Sequence, residues 1–363
     1  MKNNKKILII STVGLIYDGI TSVVVSYLKA MNREDLEIYV VGTINVKESI
    51  RKQIESLGCK VVDFPDRRND TMRYFLQLSK FIRKNKIDIV HAHGNSGTLA
   101  IEMVAAWLGG CKKRIAHSHN TKCDQVKADK ILRPIFNMFY TDAFACGEEA
   151  GKWLFGTKKF TVMQNGRDVG VFAFDLDKRK IMRSKLQLEN EITIGHVGGF
   201  FEQKNHEFLL RIFKEIIKIE PSAKLFLIGE GPLKARMEEK AKKISENINF
   251  VGSTDQVADY LQAMDGMLLP SLFEGLPLVA IEWQLNGLPC VFADTITKDC
   301  SFSEEVCFLS LEDNASVWAH KIIQMIKKNN RIELSKENVL KANQVGFNIE
   351  NNAEHLKKTY LIN

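Results

Sequence analysis

Glu274 and Glu282 stand with seven residues between them in the run PSLFEGLPLVAIEWQLNGLPCVF, from Pro270 to Phe292. The first carboxylate follows a strand-like run, Gly266 to Leu269, and precedes Gly275. The second falls about two turns along a helix that Pro277 can open, because proline at the first helical position gives up an N–H that has no partner there. The free N–H groups and positive end of such a helix form a ready anion site. One carboxylate at the mouth and another deeper on the same side suit a ligand with hydroxyls at both ends and negative charge between them, the layout of a nucleotide-sugar. A buried turn and an ordinary helix whose glutamates face water would explain any lone carboxylate pair more simply. That explanation must here also account for Gly275, Pro277, Gly287 and Pro289 in their places, so the binding reading is preferred.

The elements that position these residues follow an alternation of short apolar runs with amphipathic stretches, which indicates βαβ units and parallel sheets. A first series of strands is expected at Lys6–Ser11, Glu37–Gly42, Lys60–Phe64, Ile87–His91, Arg114–Ser118, Ala143–Cys146 and Phe160–Gln164. A second is expected at Ile192–Val197, Lys224–Gly229, Asn249–Gly252, Gly266–Leu269, Cys290–Ala293 and Val306–Leu309. At 363 residues with 45% hydrophobic content, two soluble domains are expected. They are an N-terminal one over 1–170, on which a last helix at about 349–363 packs back, and a C-terminal one over 171–348. The charged segment Val171–Asn190 reads as linker plus a short helix. Two doubly wound domains facing each other across a cleft place a ligand outside the carboxyl ends of their strands.

The start, MKNNKK before ILIISTVGLI, imitates a secretory signal, but Tyr17-Asp18-Gly19 follows in place of a small-residue cleavage site, so a buried first strand is expected. No uncharged apolar run reaches the ~18 residues that span a bilayer. Seven scattered cysteines without a CxxC pair point to reduced thiols in a cytoplasm, not a disulfide frame or zinc site. Residues 1–170 hold 27 Lys and Arg against 17 Asp and Glu, a basic half that suggests an anionic partner. Nucleic acid is disfavoured because no recognition-helix, zinc or RNP-like pattern occurs. The stretch Lys127–Tyr140 mixes cations with apolar residues and could lie on a membrane surface, although packing against the first sheet explains most of it. Four of the eight histidines lie between 91 and 119. They end two strands with no carboxylate at ligand spacing, so polar roles are expected and no metal. Asp175-Leu176-Asp177 imitates a metal-binding DxD but reads as solvent-facing.

The motifs DIVHAHG (Asp88–Gly94), RIAHSHN (Arg114–Asn120), QNG (Gln164–Gly166), HVGGFFEQKN (His196–Asn205), IGEGP (Ile228–Pro232), FVG (Phe250–Gly252) and the opening segment occur in that order. Together they resemble a retaining glycosyltransferase of family 4 with the GT-B fold, of the bacterial type that builds capsule or exopolysaccharide. The resemblance covers almost the whole chain. It implies transfer of a hexosyl group from a nucleoside-diphosphate sugar, UDP-linked, to a lipid-linked or oligosaccharide acceptor at the cytoplasmic membrane face, without a metal cofactor.

It also implies roles for individual residues. Glu282 takes the donor's ribose hydroxyls and Glu274 the transferred sugar, with the amides of Gly275 and Leu276 near the diphosphate. Lys204 neutralises charge on the departing phosphate, Gly19 lets backbone approach the diphosphate, His119 lies near the sugar, and Val251-Gly252 border the base. One position departs from the family, which pairs an arginine with the lysine; here it is Gly199. A non-catalytic sugar-nucleotide-binding subunit and a UDP-sugar 2-epimerase are the alternatives.

Overall fold

The computed structural model describes residues 4–362. The chain divides into two compact units, Met1–Gly166 with Asn348–Asn363, and Arg167–Phe347. The first is built on β1 (Lys5–Ser11), β2 (Leu36–Gly42), β3 (Lys60–Asp63), β4 (Ile89–His93), β5 (Lys113–Ser118), β6 (Asp142–Ala145) and β7 (Thr161–Val162). The second is built on β8 (Thr193–Val197), β9 (Lys224–Ile228), β10 (Ile248–Gly252), β11 (Gly266–Leu269), β12 (Cys290–Ala293) and β13 (Val306–Leu309). The orders are β3-β2-β1-β4-β5-β6-β7 and β10-β9-β8-β11-β12-β13, with every pairing parallel.

Helices cover both faces of such sheets, which is why the strands read as unbroken apolar runs. Ile7, Leu8, Ile10, Val40, Val41, Leu225, Leu227, Met267, Leu268 and Leu269 are wholly buried. The helix His206–Ile219 shows the complementary pattern: Phe208, Leu209, Ile212, Phe213 and Ile216 recur at helical spacing and are all buried. Fully burying one such side chain stabilises the fold by about 1.5–3 kcal/mol.

In each order the strand sequence reverses beside the first strand, between β1 and β4 and between β8 and β11. Loops leaving those carboxyl ends diverge there and leave room for a ligand. Glycine permits the tight paths. Gly14, at φ +92°, passes so near Ile44 O that a Cβ would lie 1.8 Å from it. Gly229, at φ +149°, would bring a Cβ to 2.1 Å from Gly198 O. No other residue type fits at either turn.

Two expectations need correction. The segment Val171–Asn190 holds the expected short helix, Leu176–Lys185, but it is part of the second unit and not a linker, as is the helix Val169–Phe172 before it. Arg183 is buried there, donating to Ala263 O, Glu189 O and Glu191 O. Charge masked its burial because a guanidinium can be interior when several carbonyls receive it. In the helix Val126–Phe139, only Phe136 and Asp129 are fully buried, while Ile131, Ile135 and Met138 are exposed. Leu132, Phe136, Phe139 and Tyr140 pack on the first unit's core, so packing accounts for about half of the apolar content and leaves the other face exposed.

Candidate active site

The helix after β11 is Leu278–Leu285, with Pro277 as its cap residue in extended conformation, one position earlier than first-turn proline. It is buried nearly all round through Ala280, Ile281, Trp283 and Leu285, so its glutamate does not face bulk water. Glu282 is 8% exposed, and its Oε1 accepts from Arg167 Nε at 2.7 Å. Burial pushes the Glu282 carboxyl above its ordinary value, and the Arg167 guanidinium opposes part of that rise.

Glu274 lies four residues before that helix and is held by a different cation. Its Oε1 accepts from Lys204 Nζ at 2.6 Å and its Oε2 from Gln203 Nε2 at 3.2 Å. Lys204 comes from the turn Glu202–Lys204 after β8. The two loops are laced together, since Leu272 N donates to Gln203 O at 2.8 Å and Gln203 Nε2 to Phe273 O at 2.9 Å. The N–H groups of Gly275 and Leu276 carry no hydrogen bond among the described residues. An ammonium, a carboxylate and open backbone donors thus converge at the switch point of the second sheet. Such a set can bind an anion and a hydroxyl-bearing group side by side.

Gly199 lies where β8 approaches the β9 turn. Phe200 N donates to Glu230 O at 3.0 Å, and a Cβ on Gly199 would lie 2.7 Å from the exposed Phe201 ring. Val251 sits at the irregular register between Phe250 and Gly252, and Gly252 O accepts from Gly229 N at 2.9 Å. The edge of the second sheet therefore gathers Lys204, Glu274, Gly275, Leu276, Gly199, Val251 and Gly252, with Glu282 behind them.

In the first unit, Gly19 opens the helix Gly19–Ala30, which Asp18 caps by accepting from Thr21 N at 2.8 Å. Space above Gly19 is open, with nothing within 4 Å of a Cβ. His119 follows β5; its N–H donates to Asn95 Oδ1 at 3.0 Å, and its Nε2 lies 2.8 Å from His93 Nδ1. His119 Nδ1 is buried without a partner among the described residues. Residues alternating on neighbouring strands put His91, His93, His117 and His119 in one stack, with neighbouring ring centroids 4.2–5.3 Å apart. His91 Nδ1 lies 2.6 Å from Tyr360 Oη, and its Nε2 is 3.1 Å from His117 Nδ1.

Burial drives all four imidazoles toward the neutral form, His91 and His119 down to about 3. His91, His93 and His117 offer nitrogens within 4.8 Å of one another. Both His91 nitrogens already have partners, Tyr360 Oη and His117 Nδ1. Asp175 is a helix cap, accepting from Asp177 N and Lys178 N. His196 is a core residue, its Nδ1 2.8 Å from Leu268 O.

A cavity of about 530 Å³ lies at the amino ends of the strands in the first unit, lined by Lys5, Arg83, Lys86, Lys112 and Lys113. Arg83 donates to Leu108 O, and Lys113 to Thr359 O and Ile362 O. These cations serve helix ends. Arg167 and Tyr360 are the partners that sequence reasoning missed, because nothing local marks a residue that acts 115 or 269 positions away.

Residues 17–169 match the model of Glycosyltransferase Family 4, and residues 191–328 that of Glycosyl transferases group 1. EpsF of Bacillus subtilis is 29% identical over 369 residues, spanning 96% of this chain and 94% of EpsF. A UDP-Gal:alpha-D-GlcNAc-diphosphoundecaprenol alpha-1,3-galactosyltransferase of Escherichia coli is 26% identical over 316 residues, 80% of this chain and 79% of that one. Among solved structures, Anabaena HepE in complex with UDP superposes with a TM-score of 0.80 at 14% identity, covering 98% of this chain and 99% of HepE. The chain thus has the paired Rossmann-like domains of the GT-B fold and belongs to the glycosyltransferases, with a family 4 domain followed by a group 1 domain.

Proposed function

We propose that this glycosyltransferase moves a hexosyl group from a UDP-linked sugar to a lipid-linked or saccharide acceptor in cell-surface polysaccharide synthesis, keeping the anomeric configuration. The observation that carries the reading is the Lys204–Glu274 pair, 2.6 Å apart, beside the open N–H groups that precede the Leu278–Leu285 helix. The diphosphate meets Lys204 and the amides of Gly275 and Leu276, and Glu274 accepts from hydroxyls of the transferred sugar. Glu282 accepts from the ribose, and Val251 and Gly252 border the base.

Departure of the diphosphate concentrates negative charge on its oxygens while the sugar becomes oxocarbenium-like. Fixed donors already aimed at the developing charge lower that barrier without reorganising. The acceptor attacks from the face that the phosphate leaves, and a phosphate oxygen takes the acceptor's proton. Lys204 and the backbone amides take the part that a divalent cation plays elsewhere, so EDTA should leave turnover unchanged. The E. coli relative's diphosphoundecaprenol substrate and the HepE complexes with UDP and UDP-glucose support this choice of donor and acceptor.

Peripheral contact with the cytoplasmic membrane face belongs to the same reading. No helix among the described residues is long and apolar enough to cross a membrane, but Ile131, Ile135 and Met138 form an exposed stripe on the helix Val126–Phe139. Trp107, itself exposed, packs edge-on against Phe139 of that helix. Co-sedimentation with anionic vesicles, lost in Ile131→Glu/Met138→Glu, checks this part. Calorimetric titration with UDP and UDP-sugars tests the whole. If UDP-sugars neither bind nor turn over, and Lys204→Ala behaves like the parent, the proposal is wrong. A second reading, a sugar-nucleotide-binding subunit that does not catalyse, draws on Gly199 alone.

A further inference from the structure

We infer that Arg167 is a positioning residue for Glu282, holding that carboxylate charged and aimed so that it can accept from the vicinal hydroxyls of the donor's ribose. This deepens the reading above and rests on it. Arg167 is 4% exposed and opens the second unit immediately after Gly166. Its backbone cannot drift: Arg167 N donates to Phe347 O at 2.8 Å. The next residue, Asp168, caps the helix Val169–Phe172 by accepting from Gly170 N and Val171 N. Val169 and Phe172 pack with Ile281, Leu285 and Phe347 in one apolar cluster. The guanidinium is therefore anchored to the helix that carries Glu282, at both ends of a 2.7 Å contact.

A buried carboxylate without a cation takes up a proton, and a protonated oxygen donates where the ribose needs an acceptor. Arg167 is the cation that acts on Glu282. Charged groups on the neighbouring elements are committed elsewhere. Arg331 donates to Met264 O and Leu261 O. Glu333 pairs with Lys336, and Lys341 with Glu304, in solvent-facing contacts. Lys298 and Asp299 are exposed on their turn.

The test uses the full chain as parent, Arg167→Gln, Arg167→Lys, Glu282→Gln and the double Gln variant. UDP binding and thermal melts are each followed from pH 5.5 to 8. UDP affinity of the parent should be nearly flat. Arg167→Gln should be closest to the parent at pH 8 and should lose up to about tenfold per pH unit below the raised carboxyl pKa. Arg167→Lys should flatten that profile. Glu282→Gln should bind more weakly at every pH, with no further loss when Arg167→Gln is added.

The melts read the same coupling without nucleotide. A carboxyl whose folded pKa lies above its unfolded one binds an extra proton in the fold, so Arg167→Gln should lose more stability than the parent as pH rises. The double variant should not. An equal loss of affinity at every pH, or full additivity with Glu282→Gln, would reduce the contact to ordinary core pairing and overturn the inference. If UDP binds none of the proteins, the donor reading falls, and pH-dependent melts of Arg167→Gln alone still decide whether the charge coupling exists.

Discussion

The two sheets share strand direction and the same reversal beside their first strand, yet their carboxyl edges carry opposite chemistry. The edge of the first is a stack of neutral imidazoles closed by a phenol, His91, His93, His117 and His119 with Tyr360. The edge of the second is ionic, with Lys204 on Glu274 and Arg167 on Glu282. Burial disfavours charge at both edges. In the first unit every titratable group in the stack has the same sign when charged, so all four stay neutral. In the second each buried charge has an opposite partner within 3 Å. A shared topology thus supplies one neutral, hydrogen-bonding surface and one ionic surface, through side chains alone.

That contrast can be broken from the ionic side. Glu282→Leu leaves Arg167 buried without its carboxylate and should cost roughly 3–5 kcal/mol of stability, read in denaturant titrations. A cost below about 1 kcal/mol would mean that Arg167 relaxes to water or to another acceptor. Lys204→Ala removes a preorganised cation from the leaving group and should lower kcat by about two orders of magnitude, near 3 kcal/mol, in a UDP-sugar turnover assay. Lys204 is half-buried, its side chain 17% exposed over a Glu274 side chain 8% exposed, so loss of the pair should also lower the melting temperature.

The neutral edge responds to acid. An imidazole with an unfolded pKa near 6.5 and a folded one of about 3, as for His91 and His119, binds its proton more readily in the unfolded chain. Stability is then full above about pH 6.5 and falls as pH drops toward 3, by about 1.4 kcal/mol per pH unit for each such histidine. Melts from pH 7.5 to 5 should fall steeply, and less so in His91→Phe, whatever the starting stability of that variant. Equal slopes would show that the stack already takes up a proton in the fold.

The smallest change is expected from Gly199→Arg. The new Cβ meets the ring of Phe201, a side chain 54% exposed and able to swing away. Turnover should rise by no more than about tenfold, since the proposed site already supplies Lys204 and backbone donors to the phosphate. A rise above a hundredfold would favour the non-catalytic reading of the parent.

How much of this was legible differs by residue. The strand series was readable because burial on both faces leaves unbroken apolar runs such as KILIIS and KLFLI. Glu274 and Glu282 stood out by their spacing and by the prolines and glycines around them. The buried side of Glu282 was not legible, because Leu278–Leu285 is apolar almost all round and has no polar face to orient it. The helix Val126–Phe139 misled in the opposite sense, since apolar residues at helical spacing look alike whether they meet a sheet or water. Charge marked most of the segment from 171 to 190 correctly as exposed, but not Arg183, which carbonyls and the Asp265 carboxylate hold in the interior.

The order of strands and helices, the turns that need glycine and the residue types at each loop are local properties, set by periodicity and backbone sterics, and the chain's letters determine them. The pairing of Arg167 with Glu282, of Tyr360 with His91, and of Lys204 with Glu274 was decided only when the sheets assembled. Each partnership spans tens to hundreds of positions, and a hydrogen bond depends on a separation of about 3 Å in space, which no local pattern encodes.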